Sequence, residues 1–218
     1  MTKIILWDWD NTLVDTFGAI LKAQNVMREA YNLAPWTESE AKIAMNTSGR
    51  NLIVHLVGSD NAVEARKIFL DAYAKSASEI KLKTGAKEIV EWSKNNGFIN
   101  ILASNKAGSI LRNEVETLGL TQYFEKIVGA EDFENDKPSK EFTDAAIKGY
   151  IPDEIYSIGD GKADISMGHN YQNGKGILVW TDPNMPEFET IKPDMAVSSL
   201  VGLKNVLLSC EKQENKVV

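Results

Sequence analysis

The stretch "KIILWDWDNTLVD", residues 3–15, sets a continuous apolar run directly against two aspartates, Asp8 and Asp10. A short run rich in β-branched and large apolar residues reads as a parallel strand covered on both faces. Residues two apart on a strand project from the same face, so Asp8 and Asp10 leave that strand pointing toward one region. Two carboxylates held so close repel, and they persist together when a cation sits between them or one keeps a proton.

The rest of the chain carries the same kind of strand. "FINILAS" (98–104), "EIYSIGD" (154–160) and "GILVW" (176–180) are similar runs, with weaker ones at 126–130 and 195–199. Helical patterns fall between them at 85–96, 107–119, 138–149 and 162–171, and this alternation predicts a doubly wound, Rossmann-like parallel α/β sheet. Ligands on such sheets gather at the carboxyl ends of the strands. Residues 16–83 instead show helical patterns and no strand, which predicts an all-helical insertion, a cap over the active edge. The expected organisation is therefore a core of residues 1–15 and 84–210, a cap of residues 16–83, and a polar, flexible tail at 211–218.

Composition limits the function. The 218 residues are 43% hydrophobic and 25% charged, as in an ordinary soluble globular protein. Acidic residues outnumber basic ones 31 to 24, for a formal charge of −7, which disfavours nonspecific binding to nucleic acid or to an anionic membrane. No apolar run approaches the roughly eighteen residues of a membrane span. The one cysteine, Cys210, allows no intrachain disulfide and fits a reducing cytoplasm, where the protein is expected to reside.

Polar groups then cluster at the predicted strand ends: Asp8 and Asp10 after the first, Ser104 after the second, and Asp160 and Asp164 after a later one, with Lys137 before a helix. Asp8, Asp10 and Asp160 make an all-oxygen donor set that suits Mg2+ better than zinc. With the metal neutralising phosphoryl oxygens, one aspartate can attack phosphorus while a second carboxylate shuttles the proton. A hydroxyl (Ser104) and an ammonium (Lys137) supply the positioning that phosphoryl transfer needs.

Four segments, "DWDNTL" (8–13), "ASNKAG" (103–108), "DKPSKEF" (136–142) and "GDGKADI" (159–165), resemble in order and spacing the motifs of the haloacid dehalogenase (HAD) superfamily. The likeness spans residue 3 to about 182 and points to the branch that holds phosphoglycolate phosphatase and β-phosphoglucomutase, with its four-helix cap. It implies that Asp8 is the nucleophile, Asp10 the general acid and base, Ser104 a phosphoryl ligand, and Lys137 a bridge between phosphoryl group and Asp8. It implies that Asp160 holds Mg2+ with Asp8 and the Asp10 backbone carbonyl, that Asp164 acts from behind by water or through Lys137, and that Thr12 and Asn105 bind near the phosphate. Asn11 stands where many relatives carry glycine.

Some residues keep two readings. Arg50, opening a cap helix, is either a substrate contact or a surface arginine, and Lys106 is either an anion contact or a surface lysine. The expected activity is a Mg2+-dependent phosphatase acting on a small phosphorylated metabolite through an aspartyl-phosphate, as monomer or homodimer. A phosphosugar mutase shares Asp8 and Asp10. A receiver-like signalling domain shares the acidic site, the Ser and the Lys, but places its phosphorylated Asp after a later strand; a non-catalytic binding protein would leave the acidic set unused.

Overall fold

The structure, a computed structural model, describes residues 1–44, 49–180 and 191–214. The chain divides into two compact units, Met1–Leu13 with Leu82–Val218, and Val14–Lys81. Among the described residues, no helix is long and apolar enough to cross a membrane.

The first unit is built on a six-stranded sheet whose centre is β1 (Lys3–Trp7), the apolar run of the opening segment. Two further strands, β2 (Val14–Asp15) and β3 (Lys81–Leu82), pair separately as a two-stranded sheet where the helical segment leaves and rejoins the core. Beyond them come β4 (Phe98–Ala107), β5 (Lys126–Ala130), β6 (Glu154–Gly159), β7 (Gly174–Val179) and β8 (Met195–Val197). The order across the sheet is β5-β4-β1-β6-β7-β8, and every pairing is parallel.

Alternation along β1 decides which helices cover which face. Ile4 and Leu6 pack with Ile101, Ile155 and Met167, and with Phe142 and Ala146. These last two come from α7 (Lys140–Ile147), and Met167 from α8 (Lys162–His169). Ile5 and Trp7, equally buried, point to the other face. There the Trp7 indole donates to Asn100 Oδ1 at 3.0 Å, and Ser93 of α5 (Ala86–Asn95) donates to the same oxygen at 2.8 Å. Asn100 Nδ2 donates to the carbonyls of Val90 and Tyr123, so a fully buried amide has its bonds made. The remaining core helices are α6 (Gly108–Thr117) and α9 (Leu200–Glu214).

Helix α9 and the β2–β3 pair lie outside the sequence-based expectation. Leu200, Leu203, Leu207 and Cys210 bury one face of α9, whose last residues are 211–214. Residues 215–218 lie outside the described residues.

The second unit holds α1 (Phe17–Ala30), α2 (Glu38–Ala44), α3 (Gly49–Val57) and α4 (Ala62–Ala74). Ala19, Ala23 and Met27, spaced by four, form the buried stripe of α1. Met27 packs with Ile53 of α3 and Ala65 of α4 in a core separate from that of the sheet. Arg28 covers one end, stacked 4.2 Å over Trp36 and donating to the Ala34 carbonyl at 2.7 Å.

Replacing Asn100 by alanine leaves the buried Trp7 indole N–H without its acceptor. Urea titration is expected to show a loss of about 1–3 kcal/mol in the stability of the sheet unit.

Candidate active site

Strand register assembles the site before any side chain is placed. Trp7 lies opposite Leu102 of β4 and Ile158 of β6, and the Asp8 N–H donates to the Ile158 carbonyl at 2.9 Å. The residues just past those partners, Ser104 and Asp160, therefore flank Asp8 at the carboxyl edge of adjacent strands. Ser104 is nearly fully buried, and its Oγ accepts the Lys106 N–H at 3.1 Å. It lies inside β4, which runs to Ala107 with a register shift against β5 after Ala103.

Asp8 is 6% exposed and both of its oxygens are held. Lys137 Nζ donates to Oδ1 at 2.7 Å and the buried Thr12 hydroxyl donates to Oδ2 at 2.9 Å. The same ammonium donates to Asp164 Oδ1 at 2.7 Å. Asp164 Oδ2 accepts the Gly161 N–H at 3.1 Å, tying this carboxylate to the start of α8. Gly159 is required beneath it, since a Cβ at that position would fall 2.0 Å from Asp164 Cγ.

Lys137 is fixed from behind as well. Asn105 Oδ1 accepts the Lys137 N–H at 2.9 Å, and Asn105 Nδ2 donates to the Lys137 carbonyl at 3.2 Å. Asn105 thus brackets the Lys137 backbone. Lys83, which no motif singled out, donates its ammonium to the Asn11 carbonyl, and Asn11 sits at φ 59° in the left-handed region that asparagine tolerates.

Ligand oxygens of Asp8, Asp160 and Asp164 all lie within 4.8 Å of one another. Burial pushes the Asp8 carboxyl up to about 7; the Lys137 ammonium opposes this and the neighbouring Asp164 adds to it. Asp160 is raised well above its ordinary value by burial, then by Asp8 and Asp164, with Lys83 and Lys137 acting against. Burial works against the Lys137 charge, but Asp164 and Asp8 more than offset it and hold the ammonium above its ordinary value. Carboxylates forced up in this way by burial and by one another form an oxygen-only donor set able to hold a hard divalent cation. Asp10 stands outside that group with its carboxylate, in ion-pair contact with Lys106 at 2.7 Å. Arg50 falls in the first turn of α3, and its side chain lies outside what the structure describes.

With this geometry in place, comparison with known proteins gives the family. A profile of the haloacid dehalogenase-like hydrolases matches residues 5–173, which include every residue of the site. The chain belongs to that family. Phosphoglycolate phosphatase from Nitrosococcus oceani is 25% identical over 216 residues, covering 94% of this chain and 96% of its own length. Phosphoglycolate phosphatase 1 from Pseudomonas aeruginosa is 23% identical over 176 residues, which cover 76% of this chain; the matched part spans 65% of that relative's length. Among solved structures, a haloacid dehalogenase-like family protein from Streptococcus pneumoniae superposes with a TM-score of 0.77 at 18% identity, covering 95% of this chain and 98% of that one. The six-stranded parallel sheet is thus the fold of this hydrolase family.

The raised Asp8 carboxyl has a definite pH signature. Its contribution to stability is complete below the unfolded value near 3.8 and is lost as pH rises through about 7, because the native state must then bury an ionised group. In the presence of a chelator, Asp8→Asn is expected to gain on the parent protein in melting temperature as pH rises from about 4 to about 8. A difference that stays constant across that range would contradict the assignment.

Proposed function

We propose that this hydrolase is a phosphatase that cleaves a small phosphomonoester through an aspartyl-phosphate on Asp8. The observation that carries the reading is the Asp8 carboxylate itself, buried at the end of β1, held by Lys137 and Thr12, with a second carboxylate two residues on. One Asp8 oxygen attacks phosphorus, the bond to the ester oxygen breaks, and Asp10 gives its proton to the departing alkoxide. Water then attacks the phosphorus of the aspartyl-phosphate, Asp10 takes the water proton, and phosphate leaves with Asp8 restored. Ester and water become alcohol and phosphate.

The other side chains divide the charge. Lys137 stabilises negative charge on the phosphoryl oxygens while staying anchored by Asp164, and Ser104 offers a buried hydroxyl on the neighbouring strand. Asp8 and Asp160, with Asp164 in reach, would hold Mg2+, which when bound screens the repulsion between nucleophile and substrate. A substrate resembling phosphoglycolate or a sugar phosphate is supported by the relatives, several of which bear the name phosphoglycolate phosphatase.

Phosphate release from phosphoglycolate and from a panel of sugar phosphates, assayed with Mg2+ and with chelator, tests this reading. Asp8→Asn is expected to fall to background, Asp10→Asn by about 10²–10⁴-fold, and chelator to suppress turnover reversibly. Full activity of Asp8→Asn would refute the mechanism.

A further inference from the structure

The site described so far leaves a second buried charge cluster unused. Lys106 follows Ser104 by two residues, yet its side chain is only 7% exposed and faces two carboxylates. Its ammonium lies 2.7 Å from Asp10 Oδ1 and donates to Glu114 Oε2 at 2.8 Å and Oε1 at 3.1 Å. Glu114, on α6 and also 7% exposed, accepts the indole N–H of Trp9 at 2.7 Å. Trp9 is completely buried and is the chain neighbour of Asp10. The contacts therefore close a circuit: Trp9 to Asp10 through the backbone, Asp10 to Lys106, Lys106 to Glu114, and Glu114 back to Trp9.

Such a circuit has a cost that an ordinary surface pair does not. An ammonium and a carboxylate this buried are retained only when each keeps its partners, and breaking one strands the other. Both carboxylates face the same ammonium. The ion pair draws Asp10 Oδ1 toward Lys106, and Asp10 at 21% side-chain exposure is more open than its partners.

We infer that Lys106 and Glu114 are positioning residues for Asp10, orienting it as the proton donor to the leaving group. The inference rests on the acid role given to Asp10 in the proposed function. The Lys106 ammonium lies against Oδ1, which leaves Oδ2 as the oxygen for proton transfer. Glu114 keeps the flexible lysine stem from turning elsewhere, and the Trp9 indole keeps Glu114 in place. General-acid catalysis depends on this kind of alignment, since the donor must lie within hydrogen-bond reach of the atom it protonates.

The test uses the full-length protein with two substrates of nearly the same shape, phenyl phosphate and 4-nitrophenyl phosphate. Nitrophenolate departs readily without a proton, whereas phenolate depends more on the acid. The readout is the ratio of kcat/KM for phenyl phosphate to that for 4-nitrophenyl phosphate. That ratio is expected to fall roughly tenfold in Lys106→Met and at least as far in Asp10→Asn. The double variant Lys106→Met with Glu114→Gln removes one ammonium and one carboxylate together, leaving neither charge stranded, and it is expected to show the same fall; thermal melts verify that it folds. If the Lys106 variants keep the parent ratio while Asp10→Asn loses it, the positioning role is overturned and the proposed function stands. If Asp10→Asn keeps the parent ratio, the acid role of Asp10 fails and this inference fails with it.

Discussion

A single buried ammonium organises the catalytic edge. Lys137 is shared at 2.7 Å between Asp8 and Asp164, and without it three carboxylates would crowd a space less than 5 Å across. Two charges of opposite sign are not enough to make such a site cheap, because burying them removes their hydration. The structure offsets this by holding Lys137, Asp8 and Asp164 from outside. Asn105 brackets the Lys137 backbone, Thr12 takes the second oxygen of Asp8, and the start of α8 takes the second oxygen of Asp164.

The parallel sheet makes that arrangement possible. Because β4, β1 and β6 are adjacent and in register, the first residues past three distant stretches of chain arrive at one edge. Asp8 and Asp160 follow directly on β1 and β6, Ser104 lies within β4, and Trp7, Leu102 and Ile158 just before them are completely buried. The fold thus carries its polar chemistry at the boundary of the core, where the backbone is rigid and side chains reach both partners and substrate.

Much of this was legible in the sequence, for identifiable reasons. The central strands announced themselves as apolar runs, Asp8 and Asp160 as charges placed where such runs stop, and Lys137 as a charge just before a helix. The short β2 and β3 were not legible, since two residues carry no periodicity. Helix α9 does carry a signal, with apolar residues at 200, 203, 207 and 210 ahead of the polar "EKQENKVV". The circuit of Trp9, Lys106 and Glu114 was out of reach for a different reason. Its partners are 105 residues apart at the widest, and only tertiary packing shows that a lysine beside Ser104 faces carboxylates. The same holds for Lys83, whose contact with the Asn11 carbonyl no local pattern foretells.

The account turns on whether Asp8 carries phosphorus during turnover. Asp10→Asn protein, mixed with 4-nitrophenyl phosphate and Mg2+ and quenched rapidly in acid, can be digested and its peptides weighed. The predicted result is one phosphoryl group on the peptide containing Asp8, removed by hydroxylamine as an acyl phosphate should be. A phosphoryl group on any other side chain, or steady release of phosphate by the parent protein with Asp8 never modified, would contradict it.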